Sequence, residues 1–381
     1  MSRFHFDCRF FRNDRPCLPH KATGVRCENC VSYSPVAERI LIVKLAARGD
    51  VLRTTSILEP LKRRYPKGEI TWLVDSVSSP LLENIPEIDR IWIKDIESLA
   101  KLQVEQFDLV CNLDLSPDSC ALASIPKTLE RRGYILNSHG RVAPVDPVAE
   151  RLMALSLRDD LKRANTDTYQ KMILELLNLP DPPGKIIVNL TDRERDFARQ
   201  FADRIGLLAD RKPVFGINVG AGGRWQNKTW KREHLLRFIQ ALHQRYQAPI
   251  LLLGGSEEAQ QISWLREHAR VPLFSSGTDN TLRQFMAIMS LCDAVVTGDT
   301  MALHIALGLG CKAVAFFGPT SSAEIEMYEQ GLKLSVPMDC LCCYQERCSK
   351  QPDCMDLLTP EEVLSAVGRL LGVQERERRD Q

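Results

Sequence analysis

The sequence predicts an α/β protein made of two doubly wound units. Three observations carry that expectation. Short apolar runs of strand length recur along the chain, stretches of helical spacing alternate with them, and a Pro-rich break divides them into two series.

In the first series, Arg39–Leu45 (RILIVKL) reads as a buried parallel strand. Ala46-Ala47-Arg48-Gly49-Asp50 interrupts it, and residues 51–65 follow with helical spacing of Leu52, Ile57, Leu58 and Leu61, kinked or split at Pro60. Further strands are expected at Ile70–Asp75, Arg90–Lys94, Leu109–Leu113 and Gly133–Leu136. A helix over Tyr169–Leu177 leads into Leu179-Pro180-Asp181-Pro182-Pro183-Gly184, the expected boundary. The second series has strands at Pro213–Val219, Pro249–Leu253, Ala294–Thr297 and Ala313–Phe317. Its helices are expected over Arg232–Tyr246, Glu257–His268 and Met301–Leu309. Thr359-Pro360-Glu361-Glu362 is a capping box that opens a last helix ending at Leu371 before Gly372.

Composition narrows the class. The 381 residues carry 50 Lys and Arg against 49 Asp and Glu, so the basic excess of a dedicated nucleic-acid binder is missing. A hydrophobic share of 44% and a charged share of 26% are those of a globular protein in water. No run reaches the roughly 18–20 apolar residues of a membrane span, and the best, Ile305–Gly318, is broken by Lys312. The N-terminal stretch lacks the apolar core of a secretory signal, so a cytoplasmic setting is expected. There, clustered thiols are read as metal ligands before disulfides.

Cysteine is the unusual residue: 13 in all, nine of them near the two ends. Cys8, Cys17, Cys27 and Cys30 give C-x8-C-x9-C-x2-C, read as a structural zinc site, with an iron–sulfur cluster or unligated thiols as the alternatives. Cys340, Cys343, Cys348 and Cys354, with Cys342 among them, form a second set that would bind another metal or simply pack. Cys111, Cys120, Cys292 and Cys311 are expected to be buried as small apolar residues.

Doubly wound domains bind ligands outside the carboxyl ends of their strands, which selects four stretches. Asp50 follows the first strand at a helix start, as a general base facing the cleft or as an N-cap. The loop Asn218–Trp230 contains Gly220, Gly222 and Lys228, which suit an anion, or else it is a surface loop with packed tryptophans. Asp299 and Thr300 open the helix carrying Met301, Ala302 and His304: a pyrophosphate site, or simple capping with a core histidine. Glu257 and Glu258 open another helix, where a carboxylate holds ribose hydroxyls or compensates the dipole.

Three of these stretches resemble the family 9 glycosyltransferases, the ADP-heptose:lipopolysaccharide heptosyltransferases: ILIVKLAARGDVLRTTSILEPLKRRYP, GINVGAGGRWQNKTWKREHL and VVTGDTMALHIALGLGCKAVAFFGPT. The likeness runs from about Arg39 to Leu371. It implies a GT-B fold, two Rossmann-like domains facing across a cleft, here with a short Cys-rich N-terminal segment. The layout expected is a Cys-rich leader over 1–35, an acceptor domain over 36–184 and a donor domain over 185–358. A helix over 359–372 could pack back on the first domain, and a charged tail spans 373–381.

By the same resemblance, Asp50 is the catalytic base and Lys228 contacts the donor phosphate. Asp299, Thr300, Met301 and Ala302 form the donor loop, His304 lies in the helix after it, and Glu257 or Glu258 binds ribose. Met301 stands where many relatives carry a small residue. Arg53, with Lys127, Arg131, Arg132 and Lys162, would meet the anionic groups of a glycolipid acceptor. The implied function is inverting transfer of heptose from ADP-heptose to a lipopolysaccharide inner-core acceptor. No cofactor is required, and the enzyme would touch the inner membrane face peripherally. The rival readings are a non-catalytic, metal-stabilised nucleotide-binding scaffold and a nucleotide-sugar epimerase of similar shape.

Overall fold

The computed structural model describes residues 3–207, 213–223 and 225–372. The charged tail 373–381 and Arg224 of the glycine loop lie outside the described residues. The first sheet consists of β1 (Arg39–Val43), β2 (Glu69–Val74), β3 (Arg90–Ile93), β4 (Phe107–Asn112), β5 (Thr128–Leu136) and β6 (Val142–Pro144). The second consists of β7 (Phe215–Asn218), β8 (Ile250–Leu253), β9 (Phe274–Ser275), β10 (Ala294–Gly298), β11 (Lys312–Phe317) and β12 (Gly331–Ser335). Their orders are β3-β2-β1-β4-β5-β6 and β12-β11-β10-β7-β8-β9, and every pairing is parallel except β5 with β6.

Counted from its own first strand, each sheet has the same order, 3-2-1-4-5-6. That order reverses direction between the first and fourth strands, so the crevices open above β1/β4 and β7/β10. The central strands are buried on both faces. Ile40 pairs with Ile70 on one side and Leu109 on the other, and all of Ile40–Val43 is fully buried.

The first βα connection is shorter and more broken than its periodicity suggests. A helix covers Arg48–Thr54, a 3₁₀ turn covers Thr55–Ile57, and a second helix runs over Leu58–Arg64. Pro60 therefore falls in a first turn, where its missing N–H has no intrahelical partner to lose. β5 starts at Thr128, well before the expected Gly133, because Glu130, Arg131 and Arg132 disguise it as polar. The edge strand β12 and the short β9 lack the continuous apolar run by which the central strands are read.

The last helix corrects an expectation. Pro360–Leu370 packs on the second domain rather than returning to the first. Its Val363, Ala366 and Val367 join the core of Phe215, Trp230 and Phe238. Trp230 Nε1 donates to Leu358 O at 3.0 Å, and Lys312 Nζ to Leu370 O at 3.1 Å.

The leader lies against the end of the first sheet remote from the crevice. Arg9 pairs with Asp89 and donates to Lys67 O and Gly68 O at 3.0 and 2.9 Å. The structure does not gather its cysteines into a ligand set. Cys8 forms a bridge with Pro35, Cys17 precedes the helix Leu18–Thr23, and Cys27 opens a 3₁₀ turn that ends before Cys30. All 13 cysteines are free thiols, and among the described residues no group of three or more His, Cys, Asp or Glu is placed to hold a metal ion. Cys340, Cys343, Cys348 and Cys354 are likewise not gathered into such a group; Cys342 N and Tyr344 N bond to Gly318 O and Pro319 O, so that stretch packs against the loop after β11. Cys111, Cys120, Cys292 and Cys311 are buried as expected.

Candidate active site

The chain leaves β1 through Lys44 and enters the helix Arg48–Thr54, whose N-cap is Ala47. Asp50 is the third residue of that helix and makes no capping bond, so the capping alternative does not hold. Its carboxylate instead faces cations. Arg53 Nη2 lies 2.9 Å away and Lys44 Nζ 3.9 Å away. Lys44 is 4% exposed, pairs with Asp114 beyond β4 and donates to Ala46 O at 2.8 Å. The Arg53 guanidinium lies 3.8 Å over the ring of Tyr169, whose hydroxyl bonds Thr54 at 2.7 Å. Burial pushes the Asp50 carboxyl up, but Arg53 and then Lys44 outweigh it and hold the pKa below the ordinary aspartate value. The side chain is still 38% exposed, so it is ionised and accessible at neutral pH.

The facing half is built at the β7/β10 switch point. Thr300 caps the helix Met301–Gly308, its hydroxyl accepting from Ala302 N at 3.2 Å. Asn218, at the end of β7, donates to Thr297 Oγ1 at 3.1 Å and Thr300 Oγ1 at 3.4 Å. Lys228 reaches this point from the glycine loop, with Nζ 2.8 Å from Asp299 Oδ2 and 3.0 Å from Asp299 O. Thr320 donates to the same carboxylate at 2.6 Å. Burial raises the Asp299 pKa, but Lys228 overcomes it and keeps the group ionised.

His304 is 5% exposed, and its Nδ1 is buried without a hydrogen-bond partner. Burial, with Arg53 adding, lowers its pKa to about 4, so it is neutral at pH 7. It meets the other domain at Gly49, where a Cβ would lie 3.0 Å from the His304 ring. Asp50, Arg53, Lys228, Asp299, Thr300 and His304 therefore share one crevice, and the charges of Arg53 and Lys228 act on both Asp50 and His304.

The glycine loop divides the remaining predicted residues from that crevice. Gly222 N donates to Glu258 Oε1 at 3.1 Å, Gly223 N donates to Glu257, and Gly255 N donates to Glu258 Oε2 at 2.8 Å. The anion that meets these N–H groups is internal. A Cβ on Gly220 would lie 2.4 Å from Glu258 Cγ, which is why glycine is needed there. Gly220, Gly222, Glu257, Trp230, Arg347 and Cys348 line a cavity of about 640 Å³ beside the crevice.

Of the expected acceptor cations, Arg53 is the one paired with Asp50. Arg131 is spent on the carbonyls of Ala123, Ser124 and Pro126, and Arg132 on Glu130 and Asp146. Lys127 is exposed, and Lys162 lies 4.2 Å over the ring of Tyr344. Sequence reasoning passed over Lys44, Asp114, Tyr169 and Glu324. The first two stand just past the carboxyl ends of β1 and β4, the switch-point strands, and could have been picked out by that rule.

The glycosyltransferase family 9 (heptosyltransferase) model matches residues 97–353 of the chain. The sequence is 24% identical over 316 residues to lipopolysaccharide heptosyltransferase 2 of Salmonella typhimurium, covering 74% of this chain and 83% of that protein. It is 25% identical over 311 residues to lipooligosaccharide heptosyltransferase 2 of Haemophilus ducreyi, covering 74% and 84%. In fold it is similar to a family 9 glycosyltransferase of Veillonella parvula, with a TM-score of 0.74 at 19% identity over 88% of this chain and 98% of that one. Among the described residues no helix is long and apolar enough to cross a membrane.

Proposed function

The chain belongs to glycosyltransferase family 9, and from that premise we propose that it transfers heptose from ADP-heptose to an inner-core lipopolysaccharide acceptor with inversion. One observation supports this most: an ionised, accessible Asp50 shares a crevice with Lys228 and the start of the helix Met301–Gly308.

The chemistry follows from charge. The donor diphosphate sits at Lys228 and the helix start, where a cation and free dipole end stabilise negative charge. Lys228 is held by Asp299 in the structure and turns to the phosphate oxygens when they arrive. The acceptor hydroxyl lies at Asp50. Its oxygen attacks the anomeric carbon from the face opposite the diphosphate, and the new C–O bond forms as the bond to the phosphate oxygen breaks. The electron pair leaves on ADP, where Lys228 neutralises it, and the proton goes to Asp50. Arg53 and Lys44 keep Asp50 ionised beforehand, and neutral His304 adds no competing positive charge. The active site works at the cytoplasmic membrane face, where such an acceptor is presented.

The test is transfer from ADP-heptose to a truncated lipopolysaccharide acceptor, with UDP- and GDP-sugars as controls. Asp50→Asn is expected to lose about 10²–10⁴-fold in turnover, the share of general acid–base catalysis, while binding ADP as the wild type does. A loss under about tenfold removes Asp50 from the role of base.

A further inference from the structure

One half-buried carboxyl beside the crevice is unused by this mechanism. Glu324 lies in the loop between β11 and β12. Its carbonyl accepts from Tyr169 N at 2.9 Å, which fixes it beside the ring that carries Arg53. Its carboxyl accepts from the Tyr344 hydroxyl at 3.2 Å, and that hydroxyl accepts from Ser321 N at 3.3 Å. The side chain is thus oriented by a residue of the Cys-rich stretch, which is itself pinned to Gly318 O and Pro319 O. Its charged neighbours are those of the reaction centre: Arg53 attracts it, while Asp299 and Asp50 repel it. Burial and those two carboxylates push its pKa up.

We infer that Glu324 reads the hydroxyls of the transferred sugar. The inference rests on the proposed donor. A sugar whose diphosphate is held at Lys228 and Thr300, and whose anomeric carbon is in reach of Asp50, spans the space between Asp299 and Asp50. Glu324 is electrostatically coupled to both. A carboxyl held in one rotamer by a tyrosine hydroxyl can bond two adjacent sugar hydroxyls, and such bonds gain strength in a site shielded from water. The proposed transfer gives Glu324 no other role, since its charge neither pairs with Lys228 nor shares the proton of the acceptor.

The experiment compares ADP with ADP-heptose on the full chain by calorimetry, for the wild type, Glu324→Gln and Glu324→Ala. ADP should bind all three within about twofold, because the nucleotide does not reach Glu324. ADP-heptose should bind Glu324→Ala about tenfold or more weakly, the scale of a lost hydrogen bond to a charged group, with kcat/KM falling in step. Glu324→Gln keeps the shape and one acceptor oxygen and should fall between. Equal binding of ADP-heptose by the wild type and both variants overturns the inference and leaves the proposed function standing. A wild type that binds neither nucleotide overturns the proposed function and the inference together.

Discussion

Gly49 and His304 bring the two halves of the site together without a side chain between them. A Cβ on Gly49 would lie 3.0 Å from His304 Cδ2 and 3.6 Å from the Met301 Cα. An alanine there would require the His304 ring, on the helix that opens at Thr300, to give by a few tenths of an ångström.

Gly49→Ala should therefore separate activity from stability. Gly49 is the second residue of a helix, where alanine is favoured by up to about 1 kcal/mol. The melting temperature should shift little in either direction. Transfer should fall about tenfold or more, because the buried His304 ring must move and carry the donor helix with it. Both quantities can be read on one preparation, by calorimetric melting and by ADP release. Full activity would mean that the crevice tolerates a wider separation than the structure shows.

The fold was legible because its central strands are apolar runs too short to be helices. β1, β2, β4, β7, β8, β10 and β11 all fall within expected strands, apart from one- or two-residue differences at their ends. β5 was half hidden by charges that pair along its edge, Arg132 with Glu130 among them. β12 was missed because half-exposed edge strands need no apolar run. In the site, the residues next to a strand end or glycine were legible: Asp50, Lys228, Asp299 and Thr300. Tyr169 and Glu324 were not, since a helical tyrosine and a loop glutamate have no local signature, while Lys44 was passed over although it directly follows a switch-point strand. Only the tertiary fold brings Tyr169 N to Glu324 O. The cysteine spacing constrains chain separation, while a metal needs the thiols to converge, and no such group is found among the described residues.

Arg53→Met tests what keeps Asp50 ionised. Methionine keeps an apolar stem on the Tyr169 ring, and the cation is lost. Arg53 is the largest influence lowering the Asp50 pKa, so removing it raises that pKa. The base must be ionised to act, so the acidic limb of kcat/KM moves to higher pH. The variant should lose more, relative to the wild type, at pH 5.5 than at pH 8. A limb that stays in place would show that Asp50 ionisation does not set it.

Away from the site, Arg283 ties three segments together. It bonds Glu194 through two parallel N–H groups, at 2.6 and 2.7 Å, and donates to Asn189 O at 2.6 Å and Pro80 O at 3.3 Å. Those bonds, first among its causes, pull the Glu194 pKa to about 2. The folded value lies below the unfolded one, so the pair stabilises the protein above about pH 4.5 and the gain disappears as pH falls towards 2. Glu194→Gln should cost about 1–2 kcal/mol at pH 7, allowing for solvent screening. At pH 3 the difference from the wild type should be clearly smaller. Denaturant melts at the two pH values decide it, and a cost that does not change with pH would show that the charge on Glu194 does not carry the effect.

Lys228 and Asp299 are a pair whose members can be told apart by removing them together. Their side chains are 14% and 13% exposed, and the ion pair spans 2.8 Å. Lys228→Met leaves Asp299 nearly buried with the Thr320 hydroxyl but without its lysine, and an uncompensated charge of that kind costs several kcal/mol. Adding Asp299→Asn removes the stranded charge, so the double variant should recover most of the lost stability. It should not recover activity, because the cation that neutralises the leaving diphosphate is still absent. Stability and ADP-heptose turnover for the two single variants and the double variant complete the cycle. If turnover returns along with stability, Lys228 serves only to hold Asp299 in place, and the charge on the leaving group must be met by the helix start at Thr300 alone.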